Sequence, residues 1–306
     1  MMATPLKLVV LGLGYSASAF VAAGAGRFSS VVATVRTAAS AARAATSGIE
    51  VLALDDPATG PRLLAAIAGA DAMLVSVPAE AGGDPLLPLL GAAIAAAPRL
   101  GWIGYLSTVG VYGDHGGAWV DERSALNATS PRGLARIAAE RAWLDLGAAS
   151  GKAVQVFRLA GIYGPGRNQL LSVADGTARR IIKAGQVFSR IHVDDIAGAC
   201  LASLDRPAPG AIYNVADHEP AAPQDVIAFA ANLLGLAVPP DQPFETAVLS
   251  PMARSFYMDQ RRVSNGRLVT ELGYVFRHPT YREGLGALFA SGEGVRGESA
   301  ARENPP

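Results

Sequence analysis

The chain has 306 residues, half of them apolar and 17% charged, with no formal net charge, which is the profile of a folded protein with ample material for a core. Arginines scattered singly or in pairs form no basic stripe that could neutralise a run of phosphates, so nucleic acid is not an expected partner. The single cysteine, Cys200, excludes an internal disulfide and a cysteine-built metal site, and it is expected to be a buried, inert thiol of a cytoplasmic protein.

Two apolar stretches, residues 7–26 and 85–106, have the overall hydropathy of membrane segments but not the continuity. Glycines break the first, and Pro88, Pro98 and Arg99 interrupt the second, so no membrane association is expected. The first half instead alternates short apolar runs (LKLVVLG, SVVATV, IEVLAL, AMLVSV, WIGYLS, VQVFRL) with Ala-rich segments long enough to be crossover helices. Strands buried on both faces read as unbroken apolar runs, so the pattern predicts an α/β fold with a doubly wound parallel sheet of the Rossmann type. That domain is expected over residues 1–165. A smaller substrate-side region is expected over 166–290, with 191–216 returning to the sheet, a helix over 169–185, and a disordered tail over 291–306.

Directly after the first run comes GLGYSA, in which Gly12, Gly14 and Ala17 satisfy the G-x-G-x-x-G/A fingerprint. Gly12 permits the tight turn, Gly14 lets the backbone approach a pyrophosphate, and Ala17 keeps the following helix close to the sheet. With Tyr15 and Ser16 these residues form the expected cradle for a dinucleotide. About 20 residues beyond the loop, where NAD-preferring folds carry an acid for the ribose hydroxyl, stands Arg36. A guanidinium pairs with a 2′-phosphate, so NADP(H) is the preferred cofactor and NAD(H) the alternative. Asp55 is placed to meet the adenine, and Ser76, Val77 and Pro78 to line the groove.

Further on stand YLSTVGVYGD at 105–114, FRLAGIYGPGR at 157–167, IHVDD at 191–195 and YNVAD at 213–217. With GLGYSA, these make the chain resemble the extended short-chain dehydrogenase/reductase superfamily, the NAD-dependent epimerase/dehydratase group. The resemblance implies a Rossmann domain holding NAD(P), a smaller part closing over a small-molecule substrate, and homodimers through helices of the first domain. It also implies a Ser/Thr that bonds the substrate oxygen, matched by Thr108, with Ser107 before it expected at the cofactor, and a Tyr-x-x-x-Lys pair. Where that pair belongs the chain has Arg132 and Arg136. A guanidinium, with a pKa above about 12, cannot shuttle the proton that hydride transfer to a carbonyl requires, although it can hold an anion. Arg136 is therefore expected at the cofactor ribose and Arg132 at an anionic substrate group, with a proton donor sought in Tyr112, Tyr163 or His192.

Arg167 and Gln169 are expected to face the cleft, and Arg190, His192, Arg261 and Asn265 to meet a polar substrate. The four histidines, His115, His192, His218 and His278, show no paired spacing, and no metal is expected. The leading expectation is an atypical NADP(H)-dependent oxidoreductase acting on a small carbonyl, alcohol or nucleotide-sugar-like compound. The alternatives are a nucleotide-sugar epimerase or dehydratase, and a catalytically silent NADPH-binding sensor or scaffold.

Overall fold

The computed structural model describes residues 4–44 and 48–295. In the first strand, β1 (Leu6–Leu11), alternate side chains point to opposite sides: Leu8 and Val10 enter one core, Val9 and Leu11 the other. A strand sealed on both faces belongs at the centre of a sheet, and six more strands flank it: β2 (Phe28–Val35), β3 (Ile49–Ala53), β4 (Ala72–Val75), β5 (Trp102–Thr108), β6 (Ala153–Leu159) and β7 (Ile212–Val215). Their order is β7-β6-β5-β4-β1-β2-β3, and all pairs are parallel. This is the doubly wound Rossmann sheet, with its switch point between β1 and β4.

The helices are α1 (Tyr15–Ala23), α2 (Ala38–Ala44), α3 (Thr59–Gly69), α4 (Leu87–Ala96), α5 (Pro131–Ser150), α6 (Gln169–Ala174), α7 (Val193–Asp205), α8 (Pro223–Leu233), α9 (Pro251–Phe256), α10 (Gly266–Leu272) and α11 (Tyr281–Ala290). One face of the sheet is covered by α1, α7 and α10, whose Phe20, Cys200 and Leu268 are fully buried. Ile67, Ile94 and Trp143, from α3, α4 and α5, cover the other face. The Cys200 thiol is completely enclosed and burial alone pushes its pKa up, so it stays a protonated packing group. The start of α5 is set by local chemistry: the Ser130 side chain accepts the N–H of Gly133, and Pro131 occupies the first turn, where its missing N–H costs nothing.

Beyond β6 the chain builds a third packed layer around Tyr163, Leu170, Val226, Tyr281 and Leu285. Short parallel strand pairs tie this layer together: Arg190–His192 beside Gly161–Tyr163, and Asp241–Pro243 beside Arg180–Ile182. The helix expected over 169–185 is interrupted. It ends after Ala174, Gly176 turns the chain at φ 69°, and the apolar residues that follow enter a strand. Residues 291–295 of the expected tail are ordered, with Glu293 accepting hydrogen bonds from the turn before α6. Residues 296–306 of that tail lie outside the described residues.

Candidate functional site

The end of β1 delivers the chain into a tight turn at Gly12, where φ is 91°. The Gly12 N–H donates to the buried Thr34 hydroxyl at 2.9 Å, and Leu13 N–H to the Thr34 carbonyl at 2.8 Å, so the end of β2 fixes the loop. Gly14 then begins α1 in extended geometry, and a Cβ built on it meets nothing within 4 Å. Among the described residues, the N–H groups of Tyr15, Ser16 and Ala17 have no acceptor, and Ala17 is fully buried against the sheet. Open amides, a bare approach at Gly14 and a helix N-terminus fit a dinucleotide diphosphate. Ser76 and Val77 leave β4 directly against Gly12, with Pro78 following, so the expected lining of the groove is at the switch point.

At the end of β2, Arg36 is exposed. Thr37 donates to Ser40, and Arg43, one turn further along α2, reaches the Ser40 hydroxyl at 3.1 Å. Arg43 thus joins two hydroxyls at the start of α2, just past Arg36; sequence reading found Arg36 and missed Arg43, which the helix turn brings to Ser40. Asp55, expected at the adenine, instead accepts the Ala38 N–H at 3.0 Å and so ties the start of α2 to the end of β3.

The reacting end lies at the C-terminus of β5. Thr108 accepts the Gly110 N–H at 3.1 Å, which orients its oxygen and leaves its own O–H to donate. Ser107 is not available to a cofactor through its side chain. It is buried and donates to Glu140, which in turn holds Arg158 in a bidentate pair with both partners 3% exposed. Arg136 also departs from expectation: one of its terminal nitrogens donates to the Tyr105 hydroxyl and to the carbonyls of Leu106 and Val77. It therefore clamps the ends of β4 and β5 together and acts as a positioning residue. Burial, outweighing Arg136, pushes the Tyr105 phenol up to about 12, so Tyr105 is a poor proton donor at neutral pH. Arg132, by contrast, is exposed on the first turn of α5 and faces Glu80 and Gly82 across a cavity of about 390 Å³.

Of the three expected proton donors, the two tyrosines are engaged, and His192 is engaged through one ring nitrogen while its Nε2 is buried with no partner among the described residues. Tyr112 is fully buried, donates to Asn214 at 2.7 Å and accepts from Arg158 at 3.0 Å. Tyr163 is buried against the Thr280 carbonyl, and burial raises its pKa. His192 caps α7, its Nδ1 accepting the Asp194 N–H at 3.1 Å. Arg190, expected at the substrate, donates to the carbonyls of Phe188 and Ala221 and is 7% exposed. Arg261 donates to Gly113 O and Asn265 to Ala216 O, so these side chains brace the loops around them. Gln169 opens α6 with its amide oxygen buried, while Arg167 remains exposed.

The histidines, scattered in sequence, are partly brought together: the rings of His192 and His278 lie 4.0 Å apart. With Asp194 they offer ligand atoms within 4.8 Å of one another. Nδ1 of His192 is already engaged, and the Arg277 guanidinium lies 3.5 Å from the Asp194 carboxylate, so the carboxylate has a cation beside it. Burial, and then the charge of His278, lowers the His192 imidazole to about 4, against 6.5 for the free group. Because the folded pKa is depressed, its contribution is complete above about pH 6.5 and is lost as pH falls from there toward 4. An acid limb of up to about 3 kcal/mol is expected in urea titrations, and His192→Asn, which keeps a capping side chain, should flatten it. Parallel acid limbs for parent and variant would assign the loss elsewhere.

Switch-point turn, β5 hydroxyl and α5 together are set on a Rossmann-like α/β fold. Residues 87–216, which carry β5, α5, β6, α7 and β7, match the NAD dependent epimerase/dehydratase family. A functionally unknown conserved protein from Silicibacter pomeroyi is similar over 94% of this chain and 99% of its own, at 46% identity and a TM-score of 0.84. A Streptomyces 3-diazoavenalumate denitrifying reductase is 33% identical over 183 residues, 55% of this chain; the match spans only 58% of that reductase. Protein YeeZ of Escherichia coli K12 is 29% identical over 226 residues, covering 71% of this chain and 74% of YeeZ. The family match covers residues 87–216, less than half of the chain. No helix among the described residues is long and apolar enough to cross a membrane.

Proposed function

We propose that the protein is an NADP(H)-dependent reductase of a small anionic substrate, working without the family's tyrosine acid. The reading is carried by an oriented Thr108 hydroxyl at the end of β5 together with an exposed Arg132 on α5, at the position where the family has its tyrosine. The cofactor would be held by the amides of residues 15–17 and by Arg36, and when bound it supplies the hydride. Thr108 donates to the substrate atom on which negative charge develops, and Arg132 holds a carboxylate or similar group at the exposed rim. Tyr112 and Tyr163 are committed to other partners and the His192 ring is buried at the start of α7, so in this reading the proton comes from water.

Epimerisation and dehydration gain less support. Both begin with oxidation of a sugar hydroxyl assisted by a base, and no unengaged tyrosine, lysine or imidazole stands beside Thr108 in the geometry above. The partial relative from Streptomyces is named a reductase, which agrees with the simpler chemistry. A silent sensor predicts NADPH binding with no oxidation at 340 nm across a panel of carboxylate-bearing carbonyl and other reducible compounds; turnover of any of them separates the two readings.

The preference for the phosphorylated cofactor rests on Arg36 and Arg43. Arg36→Ala is expected to weaken NADPH about 10- to 100-fold and NADH less than about 3-fold, since a charge-assisted bond contributes about 1.5–3 kcal/mol. Arg43→Ala should show the same selectivity with a smaller loss. Equal losses for the two cofactors in a fluorescence titration would remove the preference.

A further inference from the structure

The turn at residues 164–168 is gripped from both sides. Gly164 and Arg167 exchange backbone hydrogen bonds of 3.0 Å, closing a tight turn around Pro165 and Gly166. On one side Tyr15, the first residue of α1, donates its hydroxyl to the Pro165 carbonyl at 2.9 Å. Gly164 has φ 155°, and a Cβ there would lie 2.6 Å from that hydroxyl, so a side chain at this position would push the turn away from the phosphate loop. On the other side Glu293 accepts the Gly166 N–H at 3.1 Å and the Asn168 amide at 2.8 Å. Gly294, at φ 75°, packs on Leu170 so closely that a Cβ would sit 3.1 Å away, which seats the segment after α11 against α6.

This doubly held turn carries Arg167. Its guanidinium is exposed and has no hydrogen-bond partner among the described residues. It is close enough to act on the Tyr15 phenol, which burial pushes up and the Arg167 charge pulls down. Tyr15 follows directly on Gly14, where the diphosphate is expected, and residues 12–17 contain no cation of their own. Open amides alone leave two phosphate charges only partly compensated, and the nearest further charges acting on Tyr15, Asp194 and Glu293, are negative. Glu293 is restrained by its own bonds to the turn, so Arg167 is the group left to meet the anion.

We propose that Arg167 is a cofactor-binding residue that closes the open side of the phosphate cradle over the dinucleotide diphosphate, and that Glu293, from the C-terminal segment, is the residue that positions it. This rests on the dinucleotide reading above and changes the role expected for Arg167 from substrate to cofactor. It also makes the turn a strap: bonded to Tyr15 beneath and to Glu293 above, it crosses from the third layer to the first turn of α1.

Calorimetry with 2′-phospho-ADP-ribose, which has the diphosphate but no nicotinamide, and adenosine 2′-monophosphate, which lacks the diphosphate, tests the assignment. Arg167→Gln, a change at an exposed side chain, is expected to weaken 2′-phospho-ADP-ribose and NADPH about 10-fold while leaving adenosine 2′-monophosphate unchanged. Glu293→Gln should weaken the same two ligands about 3-fold and add nothing in the double variant, because it acts through Arg167. Unchanged affinity of Arg167→Gln for 2′-phospho-ADP-ribose overturns the proposal, and a raised substrate KM in that case returns Arg167 to the substrate. A folded parent that binds none of these nucleotides overturns the dinucleotide reading as well.

Discussion

Replacing Arg158 by methionine is expected to lower stability by about 3–5 kcal/mol, measured by urea unfolding, because it strands a buried carboxylate. Arg158 and Glu140 are each 3% exposed, and Arg158 reaches Glu140 through two nitrogens while a third bonds the Tyr112 hydroxyl. Taking two charges out of water is unfavourable, and their mutual attraction offsets this only while both are present. The double replacement Arg158→Met with Glu140→Leu should therefore recover at least half of the loss, even though Ser107 and Tyr112 each lose a hydrogen-bond partner. A single-variant loss below about 1 kcal/mol would mean that water reaches the pair. The consequence extends to the site. Glu140 holds Ser107, the neighbour of Thr108 on β5, so a variant that survives folding should also show a loosened Thr108 and weaker turnover.

Apolar runs made the sheet legible in the sequence because strands buried on both faces need little context to be recognised. Each of the six runs became a strand of the sheet, and AIYNVA supplied the seventh. The glycine turn after β1 was equally readable, since the fingerprint is local and Gly12 answers to backbone geometry. What escaped is long-range. Arg136 stands at the family's lysine position, yet the carbonyls of Val77 and Leu106 and the Tyr105 phenol turn it inward, and these lie 59, 30 and 31 residues away. Glu140 looks like one more charge on a helix until Ser107, 33 residues back, and Arg158 are seen to converge on it. His192 and His278 meet only because α7 and the segment before α11 share an edge. The interrupted helix after Gln169 failed for a local reason: Gly176 and Thr177 stop it, and the apolar spacing of Ile181 and Ile182 serves a strand as well as a helix.

The unmatched arginines and the committed tyrosines lead to the same chemistry. A site that has Tyr-x-x-x-Lys controls both protons and hydride; in the reading proposed above, Arg132 would control only where an anion sits and Thr108 where charge develops. Such a site suits a substrate whose carboxylate fixes its orientation and whose product takes its proton from water. Turnover in that case should depend little on pH near neutrality, because no side chain would supply the proton.

Two glycine substitutions separate the folding role of the cradle from its binding role. In Gly12→Val a branched side chain would have to adopt φ 91°, with its Cβ 3.1 Å from Val77 N and 3.2 Å from Ser76 C, both backbone atoms of the adjoining strand end. The turn must shift, the Gly12 bond to Thr34 is lost, and a destabilisation of about 1–3 kcal/mol together with at least about a 100-fold weaker NADPH affinity is expected. Gly14 differs: φ is −97° and ψ −172°, open to any residue, and a Cβ meets no atom within 4 Å. Gly14→Val should therefore unfold at the parent's urea midpoint, within about 0.5 kcal/mol, yet lose NADPH about as severely as Gly12→Val, because its side chain occupies the space a diphosphate needs for close approach. A Gly14→Val variant that keeps the parent's affinity would show that nothing docks on that backbone, and with it would go the reason for placing a cofactor at the end of β1.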